Sequence, residues 1–242
     1  MTLFNSADSD FGTAGPLVCR DGNPALVTNH HVAGAVGHPI FAAIDVDGNG
    51  KVDHQRFIGL VGTDLLPDNL VDLSVIDLAP WTWSGVSCTN AQYIRFPTAP
   101  DGTQEVVYPV PQYPDTRASK FSTEHVTSLA DTSADSFWNT SRIFVSGGAT
   151  TAKESTGIPV TPNRVTDPPG DNCDGTGYTI QLPLPINVYT SGSAVLARKS
   201  DGSTALAGLA GCSNGTDVQT VIPVTLFKPL LEGRGYVFPG IS

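Results

Sequence analysis

Basic residues are scarce in this sequence. Lys and Arg number 13 against 23 Asp and Glu, giving a formal net charge of −10, and no run of Lys or Arg occurs. A phosphate backbone would be repelled, which argues against a nucleic-acid partner. The acid is scattered rather than gathered, which argues against an acidic binding tail. Long apolar runs are lacking too: none reaches the roughly 18–20 residues of a membrane-spanning helix, so no membrane partner is expected. The opening MTLFNSADSD has neither the basic start nor the apolar core of a signal peptide. The expectation is a cytosolic protein if Met1 is the native start, and a secreted one if the sequence is a mature fragment with an added Met. Cysteine is sparse: Cys19, Cys88, Cys173 and Cys212 form no CxxC pair, so a zinc knuckle is not expected. Disulfides and free thiols both remain open, and four cysteines allow about three pairings.

What the chain has in quantity is Gly (25) and Pro (19), with 40% hydrophobic residues. That composition suits a substantial core made of many short strands. Residues 14–33 read as a strand pair turning at Asp21-Gly22-Asn23-Pro24. HPIFAAIDVDGNGKVDHQRFIGLVG reads as two strands around a turn, and Asn69 to Leu78 as a buried strand. Residues 79–136 show no periodicity. A second strand-rich half begins with SFWNTSRIFVSGG, and Ile222 to Gly233 is the helix candidate, with Pro229 inside it. The expected fold is all-β, two antiparallel six-stranded β-barrels with a C-terminal helix, and a β-sandwich is the alternative. The expected divisions are an N-terminal barrel over 1–90, a connector with loops over 91–136, and a C-terminal barrel over 137–242.

Asp45-Val46-Asp47-Gly48-Asn49-Gly50-Lys51-Val52-Asp53 resembles the start of an EF-hand calcium loop, with oxygen ligands at Asp45, Asp47, Asn49 and Asp53. Arg56 stands where the bidentate Glu belongs, and no helical pattern flanks the loop. A hairpin turn is the preferred reading, because DG and NG favour such turns. No cofactor is required, and a structural calcium is the lesser alternative.

Three stretches offer the parts that acyl-transfer hydrolysis needs: a nucleophile, a base that takes its proton, and a carboxylate that orients the base. Leu26-Val27-Thr28-Asn29-His30-His31-Val32 resembles the LTNxHV segment around the base histidine of trypsin-like proteases. His31 aligns with the base and His30 with a variable position. Val71-Asp72-Leu73-Ser74-Val75-Ile76-Asp77-Leu78 resembles their DLAxxxL segment, with Asp72 as the orienting acid and Asp77 the weaker candidate. Ser191-Gly192-Ser193-Ala194-Val195 resembles the SGSPV nucleophile turn, and Leu206-Ala207-Gly208-Leu209-Ala210-Gly211 the pocket strand after it. Gly147-Gly148-Ala149-Thr150-Thr151 followed by Thr156-Gly157-Ile158 resembles a segment that this family places between acid and serine.

These matches occur in the family's order and resemble the short bacterial trypsin-like and glutamyl endopeptidase-like domains of the chymotrypsin fold. The resemblance implies a serine endopeptidase acting on polypeptides, with Ser191 attacking, His31 moving the proton and Asp72 holding the imidazole. It also implies an oxyanion hole from the backbone N–H groups of Tyr189 and Ser191, and a substrate pocket near Gly211, Cys212 and Ser213. Tyr189 departs from the pattern, for the family has glycine there and a bulky residue resists positive φ. Losing one oxyanion donor costs roughly 10²–10³ in rate. The alternative is therefore an inactive or latent protease-fold module that binds peptides or a protein partner; a β-rich binding domain without a triad is the third reading.

Overall fold

A computed structural model of the chain describes residues 2–44, 54–80, 88, 93–96, 106–109, 126–133, 135–140, 142–145, 153–156, 162–164, 178–183, 191–213, 218–239 and 241. The calcium-like loop (Asp45 to Asp53), Tyr189 and Cys173 lie outside these residues.

The first sheet holds β1 (Thr2–Asn5), β2 (Asp10–Thr13), β3 (Leu17–Arg20), β4 (Asn23–Thr28), β5 (Pro39–Ile44), β6 (His54–Asp64) and β7 (Ser74–Leu78). Its order is β2-β1-β5-β6-β7-β4-β3, antiparallel throughout. Two one-turn helices interrupt it, α1 (His30–Ala33) after β4 and α2 (Leu66–Asn69) between β6 and β7. A separate hairpin pairs β8 (Tyr93–Phe96) with β9 (Val106–Pro109). The second sheet is built from β10 (Val126–Leu129), β11 (Arg142–Val145), β12 (Lys153–Thr156), β13 (Pro162–Arg164), β14 (Tyr178–Pro183), β15 (Ala194–Arg198), β16 (Thr204–Ser213) and β17 (Val218–Pro223). Its order is β12-β11-β15-β16-β17-β14-β13, with β10 added parallel to β16. The architecture is all-β as expected, with a sheet in each half where a barrel was expected and a helix near the C-terminal end. Among the described residues the first sheet has seven strands and the second eight, where six and six were expected.

Side-chain alternation along a strand sends successive residues to opposite faces. In β4, Leu26 joins the core inside the first sheet while Ala25 and Val27 face a second core. In β15, Val195 and Ala197 pack inside the second sheet, and Ala194 and Leu196 face that same second core. β7 and β16 divide in the same way. These four strands are buried on both sides, which is why they read as continuous apolar runs. The shared core between the sheets is closed by α4 (Val224–Glu232) through Phe227 and Leu231, and by Tyr236.

The sequence places the helix over Ile222 to Gly233, and it begins two residues later. Ile222 and Pro223 are held in β17 by pairing with Leu209 and Gly208, so the sheet ladder overrides helical periodicity there. Pro229 is tolerated because it and Thr225, whose carbonyl its ring leaves without a donor, are both exposed and can be hydrated. SFWNT belongs not to a strand but to α3 (Asp135–Thr140), with Trp138 buried and its Nε1 donating to the Thr132 carbonyl at 3.3 Å.

After α4 the chain returns to the first sheet. Val237 and Cys19 exchange two backbone hydrogen bonds of 2.8 Å each, which pairs the outer edge of β3. Tyr236 is fully buried; its hydroxyl donates to Asp77 Oδ1 at 3.0 Å and lies 3.2 Å from Thr63 Oγ1. Arg20 sits 4.5 Å above the Tyr236 ring and pairs with Asp77 at 2.5 Å. Burial pushes the Tyr236 phenol up to about 12. Cys19 also forms a disulfide with Cys88, which ties the chain beyond β7 to β3.

Two outcomes follow. Cys88→Ser should cost about 2–5 kcal/mol, read as a lower urea midpoint. Tyr236→Phe should cost about 1–2 kcal/mol in the same measurement, because Asp77 and Thr63 each lose a buried hydrogen-bond partner.

Candidate active site

β4 delivers its chain end to the rim of the shared core, and α1 begins there. Asn29 is buried and stands at the N-cap in extended conformation (φ −79°, ψ 152°), yet its side chain does not cap the helix. Its Nδ2 instead donates to the Asp72 carbonyl at 2.9 Å. The Asp72 carboxylate returns the contact twice. Oδ1 accepts the His31 backbone N–H at 3.0 Å, and Oδ2 lies 2.7 Å from His31 Nδ1. A carboxylate accepts hydrogen bonds, so Nδ1 carries a proton toward Asp72. The Asp72 side chain is 6% exposed and that of His31 22%, which leaves the ring reachable while its carboxylate is shielded.

Asp77, the weaker candidate for the acid, is engaged elsewhere, by Arg20 and Tyr236.

Ser191 opens the turn before β15. Its carbonyl accepts the Thr13 N–H at 2.8 Å, and the Gly192 N–H donates to Ala210 at 2.8 Å, so one turn is bonded to both sheets. Gly192 has φ +88°, and a Cβ there would collide with Thr28 Oγ1 and the Thr13 carbonyl. The SGS pattern thus needs its glycine for conformation and for space. Gly12 fits between Val32 and the Ser191 carbonyl, where a Cβ would come within 2.5 Å of one and 2.9 Å of the other. The structure therefore brings the Ser191 turn against the strands and helical turn that carry His31. The Ser191 hydroxyl donates to the Gly211 carbonyl at 3.0 Å.

Gly211 is buried on β16, which also carries Cys212 and Ser213; the side chains of those two lie outside the described residues. Tyr189, the second expected oxyanion donor, does so entirely.

Sequence reading misses a second pair beside the first. His30 Nδ1 lies 2.9 Å from Asp64 Oδ1, and the Asp64 side chain is only 4% exposed. No recognisable local pattern surrounds Asp64. The one signal was a pair of adjacent histidines. Asp64 raises the His30 pKa through this hydrogen bond, against desolvation, with smaller contributions from the charges of Asp64, Asp72 and Asp8. His38 Nδ1 lies 3.2 Å from Asp8 Oδ2. Among the described residues no cluster of His, Cys, Asp and Glu could hold a metal ion.

No family model and no curated protein sequence matches the chain. Among solved structures it is similar to a glutamic-acid-specific serine protease, with a TM-score of 0.57 and 17% identity over 97% of this chain and 96% of that one. It is similar to protease A of Thermobifida fusca, with a TM-score of 0.53 and 14% identity over 97% and 94% of the two chains. It is also similar to a chymotrypsin of Cellulomonas bogoriensis, with a TM-score of 0.54 and 16% identity over 98% and 94%. At these identities the likeness is one of fold. The fold is the chymotrypsin-like fold of serine proteases, over nearly the whole length of the chains compared.

The raised His30 pKa has a thermodynamic consequence. Folding favours the protonated ring, so its contribution is complete below the unfolded value near 6.5 and disappears as pH rises through the higher folded value. The difference in Tm between the wild type and His30→Asn should be largest below pH 6.5 and shrink on the alkaline side, as followed by calorimetry across pH.

Proposed function

We propose that the protein is a serine endopeptidase that cleaves polypeptides through an acyl-enzyme. Ser191 is the nucleophile, His31 the general base and then the acid, and Asp72 the carboxylate that holds the imidazole tautomer. The observation that carries this reading is the double engagement of His31 by Asp72, through the ring at 2.7 Å and the backbone at 3.0 Å. It fixes the ring with Nε2 as the proton acceptor. The bonding of the Ser191 turn to Thr13 supports it by fixing the nucleophile turn to the same sheet.

In the reaction, the Ser191 hydroxyl leaves the Gly211 carbonyl by rotating about χ1 and gives its proton to His31 Nε2 as Oγ attacks the substrate carbonyl. The imidazolium is stabilised by Asp72 and passes the proton to the leaving amine. Water repeats the sequence in reverse on the acyl-enzyme. The oxyanion is received by the backbone N–H groups of Ser191 and Tyr189. Gly211, Cys212 and Ser213 form the wall for the residue before the scissile bond. A small or apolar side chain is favoured there, since no charge stands among them.

A second reading, a latent or inactive module that binds peptides or a partner, draws on one observation. The nucleophile's hydroxyl is given to a backbone carbonyl.

Labelling with a fluorophosphonate probe separates the two. Wild type should label, Ser191→Ala should not, and His31→Ala and Asp72→Asn should label slower by about 10⁴-fold or more. A folded wild type that takes no label would sink the peptidase and leave the module.

A further inference from the structure

The turn that carries the proposed base is held by two carboxylates. His31 meets Asp72, and its neighbour His30 meets Asp64. Both acids belong to one short connection. Asp64 is the last residue of β6, and Asp72 lies just ahead of β7. Asp64 Oδ1 also accepts the Leu66 N–H at 2.9 Å, and the Leu65 N–H donates to the Leu73 carbonyl at 2.9 Å. That last bond closes the connection on itself, and Leu65 and Leu73 are fully buried. The spacing of the two carboxylates is thereby set by a rigid frame.

α1 needs such a frame. It has four residues, far below the length at which a helix holds its own shape. Its N-cap side chain makes no capping bond, for Asn29 donates through Nδ2 to the Asp72 carbonyl while its Oδ1 reaches no helix N–H. The far end of the turn is anchored by buried Val32 and Ala33 and by Asn5 Nδ2, which donates to the Ala33 carbonyl at 3.0 Å, so its near end is left to the two histidines. Bonded to the two ends of the same frame, these fix its roll.

We propose that His30 is a positioning residue for the reaction assigned above: its bond to Asp64 fixes the roll of α1 and so aims the His31 ring at Ser191. This rests on the peptidase reading for its catalytic consequence, although the geometric claim stands apart from it. The His30 ring can donate from Nδ1 whether neutral or protonated, so the device does not require a charge. An asparagine at position 30 keeps a donor near the same place, and alanine does not.

The experiment measures fluorophosphonate labelling of the full chain, separating the maximal rate of labelling from the probe's apparent affinity. His30→Ala should lower the maximal rate about 10–100-fold, the scale expected for a small misplacement of a reacting group, with the affinity unchanged. His30→Asn should restore most of that rate. Asp64→Ala should lower the rate at least as far, since it also removes the Leu66 acceptor, and adding His30→Ala to it should cost no more, since the two residues act as one pair. Circular dichroism and Tm confirm that each variant is folded. A full rate in His30→Ala, an equal loss in His30→Asn, or a loss confined to affinity would overturn the proposal while leaving the peptidase reading intact.

A second readout does not depend on catalysis. The His31 Nδ1–H proton bonded to Asp72 gives a low-field NMR resonance, assigned by its loss in His31→Ala. It should shift or broaden in His30→Ala and persist in His30→Asn. With a wild type that takes no label, this pattern would uphold the positioning role while the peptidase reading failed. An unchanged resonance in folded His30→Ala would sink the positioning role whatever the labelling showed.

Discussion

Burial of four strands on both faces is the constraint on which everything else rests. β4, β7, β15 and β16 each give one face to their own sheet's core and the other to the core shared between the sheets. Such strands cannot slip by one residue, because a slip would exchange two sets of packed side chains at once. Each also carries one part of the site at or near an end: His31 just past β4, Asp72 just ahead of β7, Ser191 just ahead of β15, and Gly211 late in β16. The site's spacing is thus inherited from hydrophobic packing. The polar contacts at the rim trim a geometry that the core has already imposed.

Much of this was legible in residues. The alternation in ALVT, SVIDL and AVLAR, with apolar residues on both faces, marks strands with no solvent side. His31, Asp72 and Ser191 could be singled out because short local patterns surround each of them. Gly192 could be placed in the serine turn by pattern alone, whereas its φ and the approach of Thr28, which require a glycine, came from the structure. What could not be read was whatever depends on a distant partner. A four-residue helix has no periodicity to detect, so α1 is invisible until Asp72 and Asp64 hold it. The pairing of Cys19 with Cys88 is one of several that the spacing allows. The return of Tyr236 and Val237 to β3 leaves no local trace, because a lone Tyr-Val in a C-terminal stretch fits a loop equally well.

The junction between the sheets is economical in polar contacts but well chosen. Thr13 bonds the Ser191 carbonyl through its backbone N–H and accepts the Thr28 hydroxyl at 3.0 Å through its own carbonyl. One residue of β2 therefore addresses both the nucleophile turn and the strand leading to the base. Small residues cluster at this point, with Gly12, Gly15 and Gly192 all in positions that a side chain would block. Two backbones approach closely there, and the contact is stiff because it contains no long side chain that could change rotamer.

The closure of β3 by Val237 also fixes a timetable. An edge strand with unpaired N–H and C=O groups is an invitation to pair with any passing chain. Here the rightful partner lies far downstream, beyond the strands of both sheets. While the chain is being synthesised, β3 and the cavity awaiting Tyr236 stay open, even after every strand of the first sheet has emerged. The shared core that sets the site's spacing is likewise incomplete until α4 arrives. The geometry of the candidate site is thus complete only after both sheets and the segment that follows them have been made.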